Sequence, residues 1–105
     1  LENGDRIKAK DRAGDTLLTL LAGTKLVHLS AALLEAGADP DRLGASREPA
    51  IIIAARAGQA EMVRLLLDWD ADYEATDLTG RTALAIAEQR RDRVIANMLR
   101  EEGAY

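Results

Sequence analysis

Apolar residues recur in this 105-residue chain with a fixed period of 33. Leu18, Ile51 and Leu84 form one set, Leu29, Met62 and Ile95 a second, and Leu33, Leu66 and Leu99 a third. The dipeptides Gly37-Ala38, Asp70-Ala71 and Gly103-Ala104 keep the same step, and no gap is needed. A constant period of this size constrains the fold more than any local propensity, because every copy must form one supersecondary unit and stack against the next.

Within a copy, Leu17 to Ala22 reads as a short helix, Gly23-Thr24 turns the chain, and Leu26 to Glu35 reads as a second helix stopped at Gly37. Leu29, Ala32, Leu33 and Ala36 recur at spacings of three and four and so fall on one stripe. One helix pair cannot hide such a stripe, so neighbouring copies must cover it. The chain is 48% hydrophobic but only 3% aromatic, with no phenylalanine, so its core must be built from closely packed Leu, Ile, Val and Ala. Gly37-Ala38-Asp39-Pro40-Asp41 and its counterparts supply the turn residues that follow each second helix.

Asp11-x-x-Gly14-x-Thr16, Leu18, Ala22 and Leu33-Leu34-Glu35-Ala36-Gly37-Ala38-Asp39 resemble the ankyrin repeat, as do Asp77-Leu78-Thr79-Gly80-Arg81-Thr82-Ala83-Leu84 and Ala54 to Leu67. The resemblance spans essentially the whole chain. It implies an all-α solenoid of stacked antiparallel helix pairs joined by hairpin-like loops. The usual Thr-Pro-Leu-His tetrad is absent: the copies read Thr16-Leu17-Leu18-Thr19, Pro49-Ala50-Ile51-Ile52 and Thr82-Ala83-Leu84-Ala85. In the middle copy Arg47 replaces a turn glycine and Pro49 replaces a hydroxyl cap, which predicts a distorted hairpin there. Asp70 stands at a glycine position and is expected to take a left-handed conformation at some cost.

These steps divide a single array, 1–105, into residues 1–10, read as the remnant of a preceding repeat, and repeats at 11–43, 44–76 and 77–105. The last copy carries Glu88 and Arg100 where the others have Ala22, Ala55, Leu34 and Leu67, so it is expected to serve as a carboxyl-terminal cap with a polar outer face.

Chemistry finds little purchase. The net charge of −4 disfavours nucleic acid, because nonspecific affinity needs an excess of Lys and Arg. No cysteine is present, and no apolar run approaches the ~20 residues of a membrane span. A cytoplasmic, non-enzymatic protein without cofactor or metal is the expectation. Asp68-Trp69-Asp70-Ala71-Asp72 imitates the opening of a calcium loop, but Tyr73 and Thr79 stand where glycine and glutamate are required. His28, the one histidine, has no evident nucleophile or orienting carboxylate, and Ser30 and Ser46 lack a nucleophile-elbow context. Trp69 is a candidate either for anchoring a partner or for shielding the stripe between repeats.

The resemblance implies that a protein partner binds the concave side formed by hairpin tips and first helices. By register that side comprises Lys10, Arg12, Asp15, Leu43, Ser46, Arg47, Glu48, Arg56, Leu78, Arg81, Gln89 and Arg90. It is mostly basic, with Asp15 and Glu48 as the opposing charges, and arginine forks suit carboxylates. The expected partner therefore carries an acidic patch. The rival expectation is an accessory targeting or regulatory module of a larger enzyme or bacterial effector or toxin.

Overall fold

A computed structural model describes residues 13–44 and 46–104. Six helices follow one another: α1 (Ala13–Leu21), α2 (Val27–Glu35), α3 (Ala50–Ala57), α4 (Ala60–Asp68), α5 (Ala83–Gln89) and α6 (Arg93–Glu102). Each odd helix packs on the even helix that follows it. The odd helices also pack on one another in order, and so do the even ones, which makes two parallel rows. The chain is a helical solenoid of three stacked pairs.

The same closing turn ends every second helix. Gly37 N–H donates to Leu34 O and Ala38 N–H to Leu33 O; Asp70 to Leu67 and Ala71 to Leu66; Gly103 to Arg100 and Ala104 to Leu99, all at 2.9–3.0 Å. Such a turn needs a left-handed residue at its first position. Asp70 provides it with φ 61°, as its glycine-equivalent position implied. Beyond the turn, Asp39 and Asp72 each accept the N–H two residues on, from Asp41 and Glu74, at 2.9 Å. Asp72 N–H in turn donates to Asp41 Oδ1 at 2.7 Å, which ties one inter-repeat loop to the next.

Burial depends on whether a neighbour is present. Leu33, Leu66 and Leu99 are all buried in matching seats. Met62 and Ile95 are fully buried, whereas Leu29, in the same register, is 48% exposed. The seat is covered on α6, whose only neighbouring second helix is α4, so it must face the preceding pair. No described helix lies on that side of α2, and Leu17 and Leu20 of α1 are exposed for the same reason. The opposite side behaves inversely. Ala22, Ala55, Leu34 and Leu67 are buried beneath the following pair, while Glu88 and Arg100 are exposed on the outer face of the last pair and form an ion pair with each other.

Three sequence expectations need correction. The second helix begins at Val27, with Leu26 as its cap residue. The first helix begins at Ala13, so Gly14 and Thr16 lie within it rather than in a turn. Leucine-rich Ala13–Leu21 favours helix, and a helical glycine costs only about 1 kcal/mol relative to alanine. The middle hairpin keeps the turn bonds of the third, although no bridge matching Thr76–Thr82 forms there among the described residues. Gly44 N–H donates to Glu48 O and Arg47 N–H to Gly44 O, matching Asp77 N–H to Arg81 O and Gly80 N–H to Asp77 O in the third copy. Arg47 preserves the turn by taking φ 63° where Gly80 has φ 87°. The hydroxyl cap is lost as expected: Thr82 Oγ1 accepts from Ala85 N–H at 3.2 Å, and Pro49 makes no side-chain cap. The remnant read into residues 1–10 lies outside the described residues.

Candidate functional site

The hairpins and the first helices occupy one side of the stack, and two local arrangements shape it. In the third copy Asp77 is buried at the turn and collects donors. Its Oδ1 accepts from Thr79 N–H at 2.9 Å, Thr79 Oγ1 at 2.7 Å and Arg81 N–H at 2.9 Å, and its Oδ2 accepts from Arg81 Nε at 3.2 Å. The Arg81 N–H and the Thr79 hydroxyl are the main reasons its carboxyl is held well below the usual carboxylate range, with the Thr79 N–H and the Arg81 charge acting in the same direction. Arg81 is thereby fixed, and it also donates from Nη1 to Gln89 Oε1.

The middle copy cannot use an aspartate at this position. Gly44 stands there, and a Cβ would fall 2.2 Å from Thr19 Oγ1 of α1. A different clamp appears instead. Arg56 Nη1 donates to Glu48 Oε1 at 3.0 Å, and Nη2 forms a parallel bond to Oε2. The bond to Glu48 is the main reason the Arg56 pKa is raised, so this guanidinium stays charged. Glu48 aligns with Arg81 and Arg56 with Gln89, so both copies carry a polar rung between the hairpin and the last turn of the first helix. The rungs exchange which end holds the arginine. Each leaves its arginine nearly half exposed, with 46% of the Arg56 side chain and 43% of the Arg81 side chain accessible.

Around the rungs, Leu43, Ser46, Arg47, Gln89 and Arg90 are exposed, and Leu78 at the third hairpin is 73% exposed. Arg47 and Arg90 have no ionic partner among the described residues. Arg90 lies over the α3–α4 turn, its Nη2 2.8 Å from where a Cβ on Gly58 would sit. Glu48 is buried beneath Arg56, so it positions that arginine and does not itself face outward. Lys10 and Arg12 lie outside the described residues, and Asp15 falls within α1, its side chain not described.

Asp77 belongs to the third hairpin motif but not to the candidate partner-binding residues, although its Asp-x-Thr-Gly-Arg spacing is the signature of a side chain that bonds the backbone two residues on. Trp69 ends α4 and remains exposed, while His28 is exposed on α2. Ser30 is fully buried, and its hydroxyl has no hydrogen-bond partner among the described residues. No three His, Asp or Glu residues converge on a metal-sized site among the described residues.

A family model for ankyrin repeats, comprising three copies, matches residues 18–105. The chain belongs to the ankyrin-repeat family. It is 33% identical over 105 residues to an ankyrin repeat-containing protein of Treponema pallidum, covering 99% of this chain and 35% of that one. It is also 32% identical over 89 residues to inversin of Gallus gallus, covering 85% of this chain and 8% of the relative. The chain thus spans about a third of one relative and a small part of the other. Ankyrin repeats are in general non-catalytic protein–protein interaction modules. No helix among the described residues is long and apolar enough to cross a membrane.

Proposed function

We propose that this ankyrin array is a non-catalytic module that holds an acidic segment of a partner protein on its hairpin and first-helix side. The observation that carries the reading is the pair of equivalent rungs, each of which presents a partly exposed arginine side chain already held by a carboxylate. Fixing a long side chain before binding removes part of the ordering cost of association. Buried Glu48 and Asp77 do this for Arg56 and Arg81, and the remaining N–H donors stay available to a carboxylate. Arg47 and Arg90 add positive charge that no described carboxylate cancels, and Leu43 and Leu78 add apolar contact.

Selection of a displayed peptide library against the intact chain tests this. The expected ligands combine Asp or Glu with an apolar residue. Their affinity should fall at least about tenfold when Arg47→Glu and Arg90→Glu are combined, and it should weaken with salt. Ligands without acidic residues, or affinity unmoved by the double reversal, would refute the reading.

A second reading draws on the greater length of the relatives: the array positions or regulates the rest of a longer enzyme or effector. Deleting these repeats from the full-length protein should then alter its targeting or activity. No change would count against it.

A further inference from the structure

The even-numbered helices form the side of the stack away from the hairpin tips, and they leave an open groove of about 480 Å³. Its apolar lining comes from Val27 of α2, Ala60 and Leu65 of α4, and Val94 and Met98 of α6. Val94 is 62% exposed although it is β-branched and apolar. Glu61, Arg64 and Asp68 complete the lining, spaced three and four apart along α4.

Charge gives the groove a direction. Asp68 is the last residue of α4 and Glu101, at the equivalent repeat position, lies in the last turn of α6; neither carboxylate has an ionic partner among the described residues. The last turn of α4 contains no basic residue, and Arg100 of α6 is taken up by Glu88 on the outer face. Carboxylates at helix carboxyl ends add to the partial negative charge already there, so this end attracts a cation. Arg64 is the one opposing charge in the lining. A second copy of this chain fits poorly, since each copy carries a net charge of −4.

We propose that this groove binds an amphipathic segment of a partner protein, its apolar residues seated on Leu65, Val94 and Met98 and its Lys- or Arg-bearing end beside Asp68 and Glu101. The site is separate from the hairpin side and does not depend on the reading of that side. An amphipathic segment laid into a groove gains affinity from its apolar face and orientation from its charged end.

Two fluorescent helical peptides with one shared leucine stripe, one ending in lysines and the other in glutamates, provide the probe for the intact chain. Anisotropy should show the lysine peptide binding at least about tenfold more tightly. Val94→Asp and Asp68→Lys should each weaken it by at least about tenfold, while Arg90→Glu leaves it unchanged. Both side chains are exposed, and circular dichroism reports whether each variant stays folded. Equal binding of the two peptides overturns the proposal, as does indifference to both substitutions. Sedimentation showing that Val94→Asp abolishes self-association of the chain also overturns it, because the groove would then seat a second copy.

Discussion

Replacing Arg47 with glycine should stabilise the fold. Arg47 holds φ 63° in the middle hairpin, where the equivalent Gly80 has φ 87°. An L-residue in the left-handed region pays about 1–2 kcal/mol. Glycine returns roughly 0.4–1 kcal/mol of that through the greater freedom of the unfolded chain. The net expected gain is therefore about 0.5–1 kcal/mol, which for a domain of this size raises Tm by roughly 2–8 °C. Gly80→Ala supplies the reciprocal control, since a Cβ there meets nothing within 4 Å and only the backbone conformation is charged. Its net cost should be about 0.5–1 kcal/mol once the same unfolded-state entropy is subtracted from the strain. Urea denaturation of both variants, with m-values compared to confirm that the unfolded state is unchanged, measures the two quantities directly. Loss of stability in Arg47→Gly would refute the reasoning, because Arg47 would then be held by contacts worth more than its strain. The same variant should bind acidic ligands more weakly. Strain retained by a surface arginine is understandable if the side chain is used.

Ser30→Ala should stabilise by about 1 kcal/mol, because it removes a buried hydroxyl without a partner among the described residues; Ala96 fills the equivalent seat in the third copy, and a destabilised variant in urea titration would contradict this. Asp77 sets a pH dependence. Its folded pKa lies below the unfolded value, so its contribution is fully present above about pH 4 and is lost as pH falls toward the lower folded value. Asp77→Asn should flatten the stability profile below about pH 4, and an unchanged acid limb would contradict the hydrogen-bond assignment.

The period of the apolar residues made the helix pairs and their stacking legible, because each seat appears three times and chance agreement is small. Asp70 was readable for the same reason: two copies place glycine where it stands. Exposure of Leu29 was not readable, since it is set by the absence of a described neighbour and not by anything in its own sequence. The middle hairpin was misread because a lost glycine and a lost cap suggest distortion locally, whereas the turn survives through the left-handed conformation of Arg47 and the Glu48 clamp on Arg56. The arginines of the candidate site were legible as positions but not as partners. Pairing needs the fold to bring residues 48 and 56 together, and the signal lay in the complementary pair recurring in register as Arg81 and Gln89.

Three truncations test most directly whether these helix pairs are buried by their neighbours: Leu29→Ala, Met62→Ala and Ile95→Ala, compared by equilibrium unfolding. The three residues share one seat, and only the last two are covered. Met62→Ala and Ile95→Ala should each cost about 2–5 kcal/mol, and Leu29→Ala less than about 1 kcal/mol. Equal costs at all three positions would contradict burial by stacking and with it the account of the array.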